Sequence, residues 1–96
     1  MKSIALTCTA QSSLDVSNFS ARVRRACVTL GLGLHQTEEL ACVVDALGTN
    51  AVVHGYGGTI TVVLERCAWR VSTLDVGPGF TCRELERAEG GLALAA

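Results

Sequence analysis

The sequence predicts an α+β fold, a two-layer sandwich in which helices pack on one face of a mixed, mostly antiparallel sheet. Two long segments repeat apolar residues with the 3.6-residue period of an amphipathic helix, and two later segments are rich in β-branched residues. Their order is β-α-α-β-β, with the last two strands close enough to form a hairpin. A chain of 96 residues allows one domain, residues 1–96.

The N-terminal part of the chain predicts a strand and then a helix. Residues 3–9 alternate apolar and polar side chains, as a half-buried strand does. The turn at residues 11–13 supplies a cap for a helix over residues 14–30. The apolar stripe of this helix comprises Val16, Phe19, Val23, Cys27 and Leu30. Arg22, Arg24 and Arg25 lie opposite, on a solvated face, with partner contact as the weaker alternative.

A second helix is predicted from Thr37 to His54, ended by Gly55. Thr37 is expected to cap it, and the acidic residues at 38 and 39 suit its first turn. Leu40, Val43, Val44, Leu47, Ala51 and His54 share its apolar face. Asn50 lies at the edge of that face, on a semi-buried side, and therefore needs a hydrogen-bonding partner.

The C-terminal part predicts a hairpin followed by a short helix. Residues 59–66 and 69–75 form the two strands, and a turn near Cys67 joins them. Thr81 is expected to cap a turn or two of helix through Arg87. Gly90 and Gly91 have two interpretations, the start of a further helix or a frayed tail.

The composition excludes several classes of function. The net charge is −1, with eight basic and nine acidic residues, so neither nucleic acid nor an anionic membrane is an expected partner. The five cysteines are odd in number and widely spaced, which argues against a disulfide framework or a zinc site. Cys27 and Cys42 are expected to be small buried hydrophobes. The absence of a signal peptide or long apolar run predicts a cytoplasmic protein.

Two glycine-containing motifs carry the chemistry. The first is the run Asp75-Val76-Gly77-Pro78-Gly79-Phe80 at the end of a strand, where a ligand can approach a backbone without Cβ atoms, although a tight turn has the same composition. The second is the run from Thr49 to Gly58, which contains Asn50. Its amide oxygen suits a hard divalent cation, or alternatively bonds a neighbouring loop.

Together, in this order, the two motifs resemble the GHKL, or Bergerat-fold, ATPases, and within them the bacterial anti-sigma-factor serine kinases. The resemblance runs from about Thr37 to Phe80. It implies ATP and Mg²⁺ as cofactors, with Asn50 holding the metal and Asp75 accepting a hydrogen bond from the adenine amino group. It further implies that Gly77 and Gly79 approach the nucleotide. His54 either approaches the ligand or has a structural role, which is the commoner one for a helix-terminal histidine.

The chain departs from that family in two places. The position of the family's general base is Ala46, and Asp45 is a weak substitute because it lies about 140° around the helix from Asn50. The chain also shortens after Phe80, so that the family's lid and last strand are missing.

The expected function is therefore an ATP-binding, anti-sigma-factor serine/threonine kinase-like regulator in a bacterial partner-switching pathway, with kinase activity in doubt. The alternative is a catalytically inactive protein-binding module that retains the fold. The expected partners are an antagonist protein or a sigma factor. A homodimer formed through the open sheet edge is also possible.

Overall fold

The chain folds into two helices on an antiparallel sheet. The computed structural model describes residues 3–54, 57–65, 68–75, 81–88 and 91–95, with His54, Asp75, 81–88 and 91–95 described by their backbone. The elements, in chain order, are β1 (Ser3–Ala10), α1 (Ser13–Leu30), α2 (Leu34–His54), β2 (Gly58–Glu65), β3 (Trp69–Asp75), β4 (Thr81–Ala88) and β5 (Gly91–Ala95). Helix α1 packs against β1 and β2, and α2 packs against β1, β2 and β3. Buried and half-buried residues alternate along most of β2, so the helices cover one face of the sheet.

The sheet has the strand order β1-β2-β3-β4-β5, and every described pairing is antiparallel. The predicted α+β class is confirmed, but the described sheet is not mixed. The predicted helix from Thr81 to Arg87 is wrong, because those residues form β4. A helix beginning at Gly91 is also wrong, since residues 91–95 form β5. The reason is tertiary: β4 pairs with β3 from Thr81 to Arg87, and this ladder overrides a weak helical signal.

Helix α1 is closed at both ends by local hydrogen bonds. Ser12 is its N-cap: the Ser12 hydroxyl accepts from the Asp15 N–H at 3.2 Å, and the Asp15 carboxylate accepts from the Ser12 N–H at 3.2 Å. This reciprocal pair is a capping box. Gly31 ends the helix in the left-handed region, with φ 80°. The predicted turn, helix and glycine stop are confirmed.

Helix α2 begins at Leu34, three residues earlier than predicted. Thr37 is not its cap but a member of its first turn, where both the backbone N–H and the hydroxyl donate to the Gly33 carbonyl, at 2.9 and 3.0 Å. Glu38 therefore lies beyond the first turn and forms an ion pair with Arg24. Arg22 stacks on the Phe19 ring, 5.6 Å from its centroid, and Arg25 is exposed, so the solvated face is confirmed.

The core lies between the helices and the covered face of the sheet. Its fully buried side chains include Phe19, Val23, Leu40, Val44, Ile60, Val62, Leu64 and Val71. Cys27 is buried, as predicted, and burial raises the pKa of its thiol. Cys42 is exposed, so its predicted burial is wrong. It lies two residues from both Leu40 and Val44, about 200° around the helix from each, and thus on the opposite face.

Gly48 marks the closest contact between the layers. A Cβ at this position would lie 2.8 Å from Val16 Cγ1 and 3.0 Å from Ile60 Cδ1. Any side chain there would overlap α1 on one side and β2 on the other. Glycine is otherwise unfavourable within a helix, so its presence in α2 is explained by this contact.

No helix in the part of the chain that the structure describes is long and apolar enough to cross a membrane.

Replacing Gly48 by alanine is expected to destabilise the fold by about 1–3 kcal/mol, because the added methyl group overpacks the contact with Val16. At an unconstrained helical site the same change stabilises by about 1 kcal/mol. Gly33→Ala, at the residue before α2, is the control for adding a methyl group without overlap, since no atom lies within 4 Å of a Cβ there. Chemical denaturation measures both variants. A Gly48→Ala variant as stable as the wild type would contradict the close packing.

Alkylation should distinguish the cysteines by burial. In a Cys67→Ser/Cys82→Ser background, the exposed thiol of Cys42 is expected to react first with iodoacetamide at neutral pH. Cys8, half-buried, should react more slowly because burial raises its pKa. Cys27 should react only as fast as the protein opens. Mass spectrometry of peptides over time measures each rate. Equal rates for Cys27 and Cys42 would contradict the assigned core.

Candidate functional site

The two sequence motifs meet at one end of the sheet. Helix α2 ends at His54, and β2 begins only four residues later, at Gly58. Gly58 pairs with Asp75, the last residue of β3. Gly57 lies between α2 and β2, and its N–H donates to the Ala51 carbonyl at 2.8 Å, which holds the connection against the last turn of α2. The topology therefore places the end of the Asn50 helix and the start of the Asp75 loop at the same end of the sheet.

Asn50 presents its side chain to solvent. It is exposed, although the sequence predicted a semi-buried position. The next residue, Ala51, is fully buried, which fixes the face that this turn of α2 presents to the core. The Asn50 carboxamide makes no hydrogen bond to another residue that the structure describes. An amide oxygen is a suitable ligand for a hydrated divalent cation.

The other predicted nucleotide-binding residues are described only in part. Asp75 ends β3 and has two strand neighbours, Gly58 and Thr81, and His54 ends α2. Gly77 and Gly79 lie outside the described residues. The backbone thus shows where Asp75 and His54 lie in the fold, and the roles of all four residues stay predictions.

The regular geometry of α2 keeps the side chain of Asp45 away from that of Asn50. Asp45 and Ala46 are both exposed, and α2 is a continuous α-helix from Leu34 to His54. Asp45 would act beside Asn50 only if an irregularity brought the two side chains into phase, because regular geometry separates them by about 140°. The described helix contains no such irregularity, so Asp45 is a poor candidate for a general base.

Gly57 has a structural role that sequence reasoning missed. Its φ is 103°, a left-handed conformation that favours glycine, and a Cβ there would lie 2.8 Å from the Ala10 carbonyl oxygen. The chain crosses the end of β1 at this point. The sequence shows a glycine pair after a helix. Glycines are expected both where a ligand approaches the backbone and where two segments of the chain cross, so the sequence does not distinguish the two roles.

The described residues beyond the Asp75–Phe80 motif form strands, where the resemblance implies a phosphate-binding helix. After Phe80 the described residues form β4 and β5, so no helix N-terminus is present among them to supply N–H groups to phosphates. No group of three or more His, Cys, Asp or Glu side chains among the described residues could hold a metal ion by itself.

Comparison of the chain with protein-family models, with curated protein sequences and with solved structures gave no match. The resemblance to the GHKL ATPases therefore stays a prediction from the two sequence motifs.

Proposed function

We propose that this chain binds a purine nucleotide with Mg²⁺ and acts as a regulatory domain of the anti-sigma-factor serine/threonine kinase type. The observation that carries the proposal is topological: Gly58, the last residue of the Thr49–Gly58 motif, pairs with Asp75, the first residue of the Asp75–Phe80 motif. The two motifs are thereby brought to one end of the sheet. Loop residues at the ends of rigid elements are common positions for ligand-binding groups.

Each residue has a distinct role in this proposal. Asp75 accepts a hydrogen bond from the adenine amino group, and the Asn50 oxygen holds the metal. Gly77 and Gly79 allow the nucleotide to approach the backbone, and His54 lies one turn beyond Asn50. Bound Mg²⁺ would neutralise phosphate charge while keeping several of its water ligands. The exposed position of Asn50 fits this arrangement.

The same arrangement argues against efficient phosphoryl transfer. A kinase needs a group to position or deprotonate the attacking hydroxyl, and the expected position holds Ala46, while Asp45 points away along a regular helix. The predicted phosphate-binding helix after Phe80 is replaced by β4 and β5. We therefore propose a regulator that binds nucleotide without transferring phosphate to a protein serine.

A second candidate is a protein-binding module that does not bind nucleotide. It is favoured by the replacement of the phosphate-binding helix by two strands. In this case the antagonist protein or sigma factor is bound by the fold alone. The two candidates differ in one measurable property, which is affinity for Mg²⁺-ATP.

Isothermal titration calorimetry with ATP and Mg²⁺ is expected to detect binding by the wild type. Asn50→Ala should weaken binding only when Mg²⁺ is present, because it removes a metal ligand, and Asp75→Ala should weaken it with or without metal. The loss of one hydrogen bond to a charged group corresponds to about 1.5–3 kcal/mol, or roughly a tenfold to hundredfold change in affinity.

Two exposed residues of the same types provide matched controls. Asn18→Ala on α1 and Asp45→Ala on α2 should leave the affinity for ATP unchanged. An absence of binding by the wild type would exclude the nucleotide proposal and leave the protein-binding module. Equal losses in the test and control variants would show that the site lies elsewhere.

Introducing the missing carboxylate should not restore kinase activity. Ala46 is exposed on α2, so the Ala46→Glu variant is expected to fold with stability close to that of the wild type. No ATP hydrolysis above the wild-type rate is expected, because the chain still has strands where phosphates would need helix N–H groups. Release of inorganic phosphate measures this. A clear gain in hydrolysis would instead show that the phosphate side of the site is intact.

A further inference from the structure

The side of α1 that faces away from the sheet carries a second apolar line. Ala21 lies two residues from both Phe19 and Val23, about 200° around the helix from each, so it lies opposite the core. Leu14 and Val28 lie seven residues on either side of Ala21 and therefore continue the same line. They are 66% and 73% exposed. In the part of the chain that the structure describes, α1 contacts only α2, β1 and β2, so this line is uncovered.

The second half of α2 has few charges on any side. Between Leu40 and Val53 its only charged residue is Asp45. Its other exposed residues in this stretch are Cys42, Ala46, Thr49, Asn50 and Val53. A helix that is apolar around most of its circumference is usually buried on more than one side. The exposed side of α2 therefore has the composition of a covered surface.

One ion pair gives the register between the two helices. Arg24 on α1 pairs with Glu38 on α2. The helices are antiparallel neighbours, since only residues 31–33 join them. Seven residues make about two turns, so Asp45 and Ser17 lie two turns from this pair, on α2 and α1 respectively, and opposite each other. The ion pair and these two residues therefore lie along one groove between the helices.

This groove is apolar at both ends. The same register places Val28 opposite Leu34, which is 78% exposed, where the two helices are joined. At the other end Leu14 lies opposite Thr49, and Val53, 65% exposed, follows one turn later. The surface from Val28 and Leu34 to Leu14 and Val53 is the outer groove. Leu14 and Val28 are fourteen residues apart, so its length is about 21 Å at 1.5 Å per residue.

The outer groove has one charge near its middle that no described residue neutralises. Arg24 and Glu38 neutralise each other. Asp45 lies opposite Ser17, which is small and uncharged, and makes no ion pair or hydrogen bond with another residue that the structure describes. A complementary ligand therefore needs apolar groups at both ends and a positive charge between them.

We propose that the outer groove binds an amphipathic helix of a partner protein, with large apolar side chains in its first and last turns and a lysine or arginine near its middle. A helix suits the groove because its ridge of side chains packs between those of two neighbouring helices. A helix of about 15 residues spans the groove. The central basic residue pairs with Asp45. This proposal concerns a surface away from the nucleotide motifs and does not depend on nucleotide binding.

Two synthetic helical peptides of about 15 residues test the charge. Both carry leucines in the first and last turns of one face, and they differ only in a central lysine or glutamate. Fluorescence anisotropy of each labelled peptide measures its affinity for the full chain. We expect the wild type to bind the lysine peptide at least about tenfold more tightly, because Asp45 attracts one peptide and repels the other. The Asp45→Lys variant should reverse this order.

Two leucine substitutions test the apolar end of the groove. Leu14→Ser should weaken the binding of both peptides by about tenfold or more, because it removes a large apolar contact. Leu74→Ser is the matched control, since Leu74 is also exposed but lies on the face of the sheet opposite the helices. It should leave both affinities unchanged. Circular dichroism checks that all variants are folded.

Several results would overturn the proposal. A wild-type protein that binds neither peptide removes it, and equal affinities for the two peptides would indicate non-specific apolar adhesion. An unchanged preference in Asp45→Lys would place the binding site elsewhere. Light scattering tests the remaining occupant: a wild-type dimer that dissociates in Leu14→Ser would assign the outer groove to a second copy of the chain.

Discussion

The rest of the structure depends on the contact of Gly48 with Val16 and Ile60. At this point α2 touches both α1 and β2, and no other residue type fits without displacing a neighbour. The contact fixes the depth at which the second half of α2 lies on the sheet. From there the helix has only two turns before His54, so the position of Asn50 follows from the packing at Gly48.

The same contact helps to fix the end of the sheet at which the two motifs lie. Ile60, which packs against Gly48, pairs with Thr73, and Thr73 is buried two residues before Asp75. The packing of α2 on β2 therefore also helps to fix the position of the end of β3, the strand that pairs with β2. The end of a helix and the end of a strand hold the residues proposed to bind the metal and the base, and sites built on such elements are more precise than sites built on loops.

Local signals predicted the first three quarters of the fold. Ser12 and Gly31 are strong start and stop signals, and the apolar period of α1 and α2 has a single interpretation. The failures arose where local and tertiary signals compete. The segment 81–88 has charged residues that suit a helix as well as a strand, and only its ladder with β3 decides between them. Thr37 was predicted to be a helix cap, but its hydroxyl donates to the carbonyl of Gly33, four residues earlier. The sequence does not distinguish this hydrogen bond from capping.

The site was less predictable than the fold for a physical reason. A glycine in a sequence does not reveal whether a ligand or another part of the chain approaches its backbone. Gly57 is required because the chain crosses Ala10 at that position.

The most direct measurement is nuclear magnetic resonance of the ¹⁵N-labelled protein titrated with Mg²⁺-ATP. The proposed site predicts saturable shifts in the Asn50 side-chain amide and in the backbone amides of Gly58 and Asp75, with little change at Leu34. Unchanged spectra, or shifts confined to residues at the opposite end of α2, would contradict it.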